Sequence, residues 1–240
     1  MDANSEKLLL PLLQVRGKYS RGTSSIMESK NEKTNLIVKT TSLAMHIVSE
    51  YIQPGDTVVD CTMGNGYDTF SLAEAAGCTG VAEKRGSVYA FDIQQDALDA
   101  TSSYLAQNGI SDPDQSGIHL IKASHADIDR CLSDVKEEIT AFVFNLGFMP
   151  GRDKTIMTTA ETSLPAIKKA INMVKKDGIV SVMAYTGHKE GEIECEIISD
   201  FLKTLPSKKY HVAYINMINQ KKTAPSLFLI TPKVSDRKML

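Results

Sequence analysis

From Leu36 onward the chain alternates short, β-branched apolar runs with segments of helical period. TVVDC, VYAFDI, IHLIKA, AFVFN and GIVSVMAY are the runs. Between them, YDTFSLAEAAG, QDALDATSSYLAQNG, the polar segment from Ser124 to Glu138, and TTAETSLPAIKKAINMVKKDG read as helices. Strands that are apolar along their whole length are buried on both faces, and strands separated by helices pair parallel. The spacing therefore predicts an α/β fold: a mostly parallel sheet with helices on both faces. An opening helix is predicted from Leu36, Ile37, Thr40, Ala44, Ile47, Val48 and Tyr51, ended by Pro54-Gly55-Asp56. Pro165 is expected to kink the long helix ending at Gly178, or to restart it. GEIECEIISDFLKTL predicts one more helix, and YHVAYINMI and SLFLIT, joined through Pro225, predict a terminal hairpin that adds an antiparallel strand.

The 240 residues are enough for one sizeable core, and residues 31–240 read as a single domain. Residues 1–30 have no apolar period and carry Ser20, Ser24, Ser25, Ser29 and scattered basic residues. They read either as a disordered extension or as a transit-peptide-like segment, against which Asp2 and Glu6 count. The net charge of −2 excludes a strong overall field for nucleic acid. Basic pairs remain at Lys168/Lys169, Lys175/Lys176, Lys208/Lys209 and Lys221/Lys222, most of which read as solvated faces. Cys61, Cys78, Cys131 and Cys195 form no Cys-x-x-Cys pair, so free thiols in a reducing compartment are expected, and no metal site. No apolar run reaches the ~18 residues of a membrane span.

The chemistry-bearing clusters DCTMGNG, DIQ, ASHAD, FNLGF and AYTGH all fall where a strand gives out. Parallel sheets bind ligands at those carboxyl ends. In VVDCTMGNGYDT, Gly64 and Gly66 allow close backbone approach, and the helix start can hold an anion. Thr69 stands where a dinucleotide loop carries its third glycine, and there is no P-loop lysine, so the loop suits a carboxylate better than a pyrophosphate. Asp92 ends the second strand, where an acid accepts hydrogen bonds from ribose hydroxyls. A glycine loop with a ribose acid and no phosphate signature describes S-adenosylmethionine. Candidate cofactor residues are Asp60, Thr62, Gly64, Asn65, Gly66, Asp68, Thr69, Asp92, Ile93, Gln94, Ser124, His125 and Asn145. Ser124 and His125 follow the third strand, beside the expected adenine, and the position of Asp68 is explained by the helix dipole alone.

DCTMGNGYDT, FDIQ, ASH, FNLGFMPGRDK, AYTGHKEGEIE and NQKKTAPSLFLI, in that order, resemble the YtqB-like rRNA-methylase family. The resemblance covers about Leu36 to Ile230. It implies a class I, Rossmann-like methyltransferase with a seven-stranded sheet, and S-adenosylmethionine as methyl donor. Family members methylate the amine of 5-aminomethyl-2-thiouridine at the tRNA wobble position, which implies a tRNA anticodon stem-loop as partner. The chain departs from the family at Cys61, often Ala, and at Phe148-Met149-Pro150-Gly151-Arg152, often Tyr-Leu-Pro-Gly-Gly. Another RNA, such as rRNA, a small-molecule amine, and a non-catalytic cofactor-binding module stand as alternatives. A homodimer is left open. If the chain is eukaryotic, a chloroplast or mitochondrion is the expected compartment; otherwise the cytoplasm is.

On that reading, FNLGFMPGRDK supplies the amine site. An attacking amine must be held by its N–H groups while its lone pair faces the methyl group. Asn145 offers an uncharged acceptor, the Leu146 carbonyl can add to it, Gly147 gives clearance, and Phe148 can stack on a splayed-out base. Arg152 and Lys154 would meet flanking phosphates. An aliphatic amine is mostly protonated near neutral pH, and Asp153, Tyr185 and His188 are the candidate proton acceptors.

Overall fold

The computed structural model describes residues 39–80, 82–135, 138–149, 151, 156–220 and 224–233. All of them belong to one compact unit, Leu36–Leu240. Residues 1–30, the Lys221/Lys222 pair, and Arg152, Asp153 and Lys154 lie outside the described residues.

Seven strands form one sheet: β1 (Thr57–Asp60), β2 (Ser87–Asp92), β3 (Ile118–Lys122), β4 (Ile139–Leu146), β5 (Val174–Ala184), β6 (Tyr210–Ile215) and β7 (Ser226–Pro232). Their order is β3-β2-β1-β4-β5-β7-β6. β1 to β5 pair in parallel, and β7 runs antiparallel to both of its neighbours. The terminal hairpin is therefore inserted rather than appended: β7 enters the sheet and β6 takes the edge. Burial explains the order. Leu227, Phe228, Leu229 and Ile230 are buried, whereas His211, Val212, Ala213 and Tyr214 of β6 are exposed.

The helices cover both faces. On one side, α1 (Thr40–Ser49), α2 (Tyr67–Ala75) and α3 (Gln95–Gln107) pack Val48, Leu72 and Leu105 against Val58, Ala141 and Val143. On the other, α4 (Ile128–Cys131), α5 (Ala160–Met173) and α6 (Lys189–Lys203) pack Ile128, Ile167 and Ile198 against Phe142, Phe144 and Leu146. Alternate residues of β4 thus feed opposite cores, as the two-residue period of a strand requires. Each such fully buried side chain contributes on the order of 1.5–3 kcal/mol.

Three local expectations are corrected. The polar segment after β3 is a 3-10 turn, His125–Asp127, followed by the short α4 rather than a long helix. Pro165 does not restart α5, which runs through it. It is exposed, as is Glu161, whose carbonyl loses its intrahelical donor to the proline and meets water instead. The helix also stops before Gly178: Val174 turns extended at φ −65°, ψ 138°. Val174 already pairs with Ile139, and Ala141 then pairs with Ile179, so residues 175–178 form an excursion. Gly178 is pressed onto β4, where an added Cβ would lie 2.4 Å from the Thr140 carbonyl oxygen.

Candidate active site

The strand order reverses about β1, and the crevice this creates beyond the carboxyl ends of β1, β2 and β4 is a cavity of about 860 Å3. That is ample for a small-molecule cofactor and one substrate group. Thr62, Gly64, Asn65, Asp68, Asp92, Ile93, Gln94, Ser124, His125, Asn145, Leu146, Gly147, Phe148 and Tyr185 all line it. Asp60, Gly66, Thr69 and His188 do not.

The loop after β1 is built from beneath. Asp60 is buried; its Oδ2 accepts from Thr69 Oγ1 at 2.7 Å and its Oδ1 from the Thr62 amide at 3.1 Å. Burial, then the charge of Asp68, pushes its carboxyl up to about 7, against the pull of those two donors. Asp60 and Thr69 thus brace the loop from inside. Gly66 takes φ +84° at the head of α2, and an added Cβ would lie 2.9 Å from Thr101 Cα. Glycine is needed there on both counts.

Asp92 is held by two backbone donors, the Gly64 amide at 3.2 Å and the Gln94 amide at 3.0 Å. Its carboxyl is raised chiefly by burial. Each oxygen keeps a further lone pair for a ligand hydroxyl. Ser124 caps the turn after β3, accepting from the Ala126 amide at 3.1 Å. Burial holds His125 below the usual imidazole range, so its ring is neutral, and its Nε2 is buried without a hydrogen-bond partner.

At the end of β4 the Asn145 amide nitrogen of the backbone donates to Thr62 Oγ1 at 2.7 Å, tying β4 to the first loop. The Asn145 side chain is not alone: its Nδ2 donates to Asp68 Oδ2. Its Oδ1 is buried with no protein partner. Asp68 sits in the first turn of α2, where the helix dipole favours a carboxylate, yet burial raises its carboxyl above the ordinary value. Gly147 has φ +151°, a region closed to other residues, while the space beside it is ordinary, with an added Cβ 3.7 Å from the Tyr185 ring. Its glycine is required by conformation more than by clearance. Phe148 bridges to Met157, and the Gly147 carbonyl accepts from the Thr158 amide at 2.9 Å. That second wall is anchored from behind: Glu194 of α6, buried, accepts from Ser163 Oγ at 2.6 Å and Thr158 Oγ1 at 3.0 Å.

The Tyr185 ring lies beside Gly147; burial, then the charge of Asp68, raises its phenol. His188 is the N-cap of α6: its Nδ1 accepts from the Gly191 amide at 2.9 Å. Its Glu190 neighbour stands 3.6 Å from the same nitrogen. The backbone bond is the shorter of the two contacts, and the Nε2 atom is buried and unpartnered. Of the basic pairs, Lys169 bonds Asp129, Lys175 pairs with Asp56, and Lys168 covers the Phe201 ring, and none of these three lines the cavity.

Thr41, Cys61, Met63, Tyr67, Met157 and Thr158 also line the cavity and were not picked from the sequence. Tyr67, inside GNGYDT and 60% exposed, carried a signal in its position; the others did not. Among the described residues, no lysine or arginine lines the wall, which bears the carboxyls of Asp68 and Asp92. Such a wall suits a cationic ligand.

Residues 88–231 match the family described as "Putative rRNA methylase". The chain belongs to that family. A crystal structure from Clostridium thermocellum with the description "putative rRNA-methylase" is 33% identical, with a TM-score of 0.73, over 82% of this chain and 98% of that one. A Streptococcus mutans crystal structure described as "a putative methyltransferase", in complex with S-adenosylhomocysteine, is 31% identical, with a TM-score of 0.69, over 82% and 99%. The tRNA (mnm5s2U34)-methyltransferase of Arabidopsis thaliana, a chloroplastic protein, is 33% identical over 187 residues. That match spans 76% of this chain but 65% of the relative, just under two thirds of its length.

Proposed function

We propose that this chain is an S-adenosylmethionine-dependent methyltransferase acting on the amine of 5-aminomethyl-(2-thio)uridine at the tRNA wobble position, giving the 5-methylaminomethyl nucleoside. The observation that carries this reading is the β4 end. Asn145 and Asp68 form one polar pair in the same cavity as Asp92, where a cation is favoured and phosphate-binding lysines are missing from the described wall. The kinship with the Arabidopsis tRNA methyltransferase supports the substrate, and the Streptococcus structure supports the cofactor.

The residues fit the methyl donor on their own chemistry. Asp92 and Gln94 would hold the ribose hydroxyls, Ile93, Ser124 and His125 would flank the adenine, and the Gly64–Gly66 turn would receive the carboxylate. Bound there, S-adenosylmethionine supplies an electrophilic methyl group on a sulfonium. Asn145 Oδ1 orients the incoming amine by accepting an N–H, and Phe148 stacks on the flipped base. Arg152 and Lys154 would contact phosphates of the anticodon stem-loop. If the chain is eukaryotic, an organellar address with residues 1–30 as its label completes the proposal; otherwise the cytoplasm does. Mass spectrometry of nucleosides from undermodified tRNA, incubated with protein and methyl-labelled donor, tests it. Label in the 5-methylaminomethyl nucleoside is expected; label confined to rRNA or to a small amine would overturn it.

A further inference from the structure

We infer that Asp68 is the catalytic proton acceptor that turns the substrate ammonium into a nucleophile, working as a pair with Asn145. The inference rests on the amine-methylating reading above and names the residue that makes it chemically possible.

Two acceptors converge at the β4 end. Asp68 Oδ2 takes the Nδ2 hydrogen of Asn145, which fixes the amide plane and leaves Asn145 Oδ1 as an acceptor with no protein partner. Both side chains line the cavity. An ammonium entering the cavity meets the Asp68 carboxylate as its anionic acceptor, beside the Asn145 amide that the carboxylate holds. Its proton passes to the Asp68 carboxylate, which becomes the carboxylic acid. The amine keeps two N–H bonds and gains a free lone pair. That pair forms the new N–C bond while the methyl's bond to sulfur breaks and its electrons stay on sulfur. The positive charge moves from sulfur to the methylated nitrogen, and Asp68 returns its proton to water after product leaves. A carboxylate kept charged would hold the ammonium in its unreactive form; one that accepts the proton does not.

The surroundings of Asp68 favour that acceptance. Burial raises the Asp68 carboxyl and outweighs the hydrogen bond from Asn145, which lowers it; Asp60 and Tyr185 are the titratable groups that feel its charge. From α1, Thr41, Ala44 and Met45 border it, none of them titratable. No lysine or arginine lines the cavity among the described residues, and burial raises the Asp68 carboxyl toward the working range of a base. Two of the other candidates are spoken for. The Nδ1 lone pair of His188 caps α6, and the Tyr185 phenol is held in its protonated form.

The test is Asp68→Asn, which keeps the shape and an oxygen acceptor but cannot take a proton. Single-turnover methylation of aminomethyl-tRNA is followed against pH, with calorimetric S-adenosylmethionine affinity measured on the same samples. A general base contributes ~10²–10⁴-fold, so the variant should be slower by at least about 10² near neutral pH. Its rate should then climb about tenfold per pH unit toward the amine's own pKa, where deprotonation no longer needs the enzyme. Cofactor affinity should stay within about threefold, which also shows that the variant is folded. Asp68→Ala with added acetate gives a second arm: partial recovery of rate is expected. An equal loss at every pH, a fall in affinity that matches the fall in rate, or no rescue by acetate overturns the role of Asp68. The wild-type control separates this from the substrate reading, because label in the tRNA nucleoside upholds that reading whatever the variants do.

Discussion

Asp60→Asn tests how the buried acid beneath the first loop is held. With its folded pKa near 7 against an ordinary 3.8, Asp60 keeps a proton that the unfolded chain releases. Below the ordinary value both states are protonated. Between about pH 4 and about pH 7 the folded state binds more protons, so stability falls as pH rises; above that the slope ends. At about 1.4 kcal/mol per pKa unit the interval amounts to roughly 4 kcal/mol. Asparagine removes the ionisation while its oxygen still accepts from the Thr62 amide, and the Thr69 hydroxyl must rotate to accept rather than donate. That exchange costs about 1 kcal/mol. The variant should therefore be slightly less stable than wild type near pH 4.5 and about 2–3 kcal/mol more stable near pH 8, a Tm gain of roughly 5–10 °C for a chain of this size. Asp68, Asp92 and Glu194 are also raised by burial and slope the same way, so the difference between the two proteins reports Asp60 together with its charge coupling to Asp68 and Asp92. Urea unfolding across this pH range, read as the shift in midpoint at constant m, measures it. A difference that does not change with pH would refute a raised Asp60.

Asp92→Ala removes the proposed acceptor of the ribose hydroxyls, each charge-assisted bond being worth about 1.5–3 kcal/mol, so titration calorimetry should show S-adenosylmethionine affinity falling by at least about tenfold. Glu194→Ala strips the buried hydroxyl of Ser163 of its acceptor at about 1–3 kcal/mol, and the half-buried hydroxyl of Thr158 at less, so thermal unfolding should drop by several degrees. Glu194→Gln should recover most of that loss.

The architecture was legible because its strands are short and apolar throughout, a pattern that a parallel sheet with two covered faces imposes. The place of the site followed, since DCTMGNG, DIQ and FNLGF had to meet at the carboxyl ends of their strands. Other features have no local signal. Pro165 breaks a helical pattern on paper and is tolerated because it and Glu161 face water. His188 reads as a free imidazole after a strand, and its capping of α6 depends on the backbone direction at Gly191. The Asn145–Asp68 contact joins residues 77 positions apart, so no spacing rule links them. In the sequence Asn145 stands as a lone neutral acceptor and Asp68 as a carboxylate suited to a helix start; the fold makes them one unit. The Thr158–Glu194 anchor, across 36 positions, was hidden for the same reason.

The account stands most directly on one comparison: single-turnover transfer of labelled methyl to tRNA bearing 5-aminomethyluridine, by wild type and by Asn145→Ala. It predicts labelled 5-methylaminomethyl nucleoside from wild type and a rate lower by ~10²-fold or more in the variant, with cofactor affinity little changed. Equal rates from the two proteins, or a wild type that leaves this nucleoside unlabelled, would contradict it.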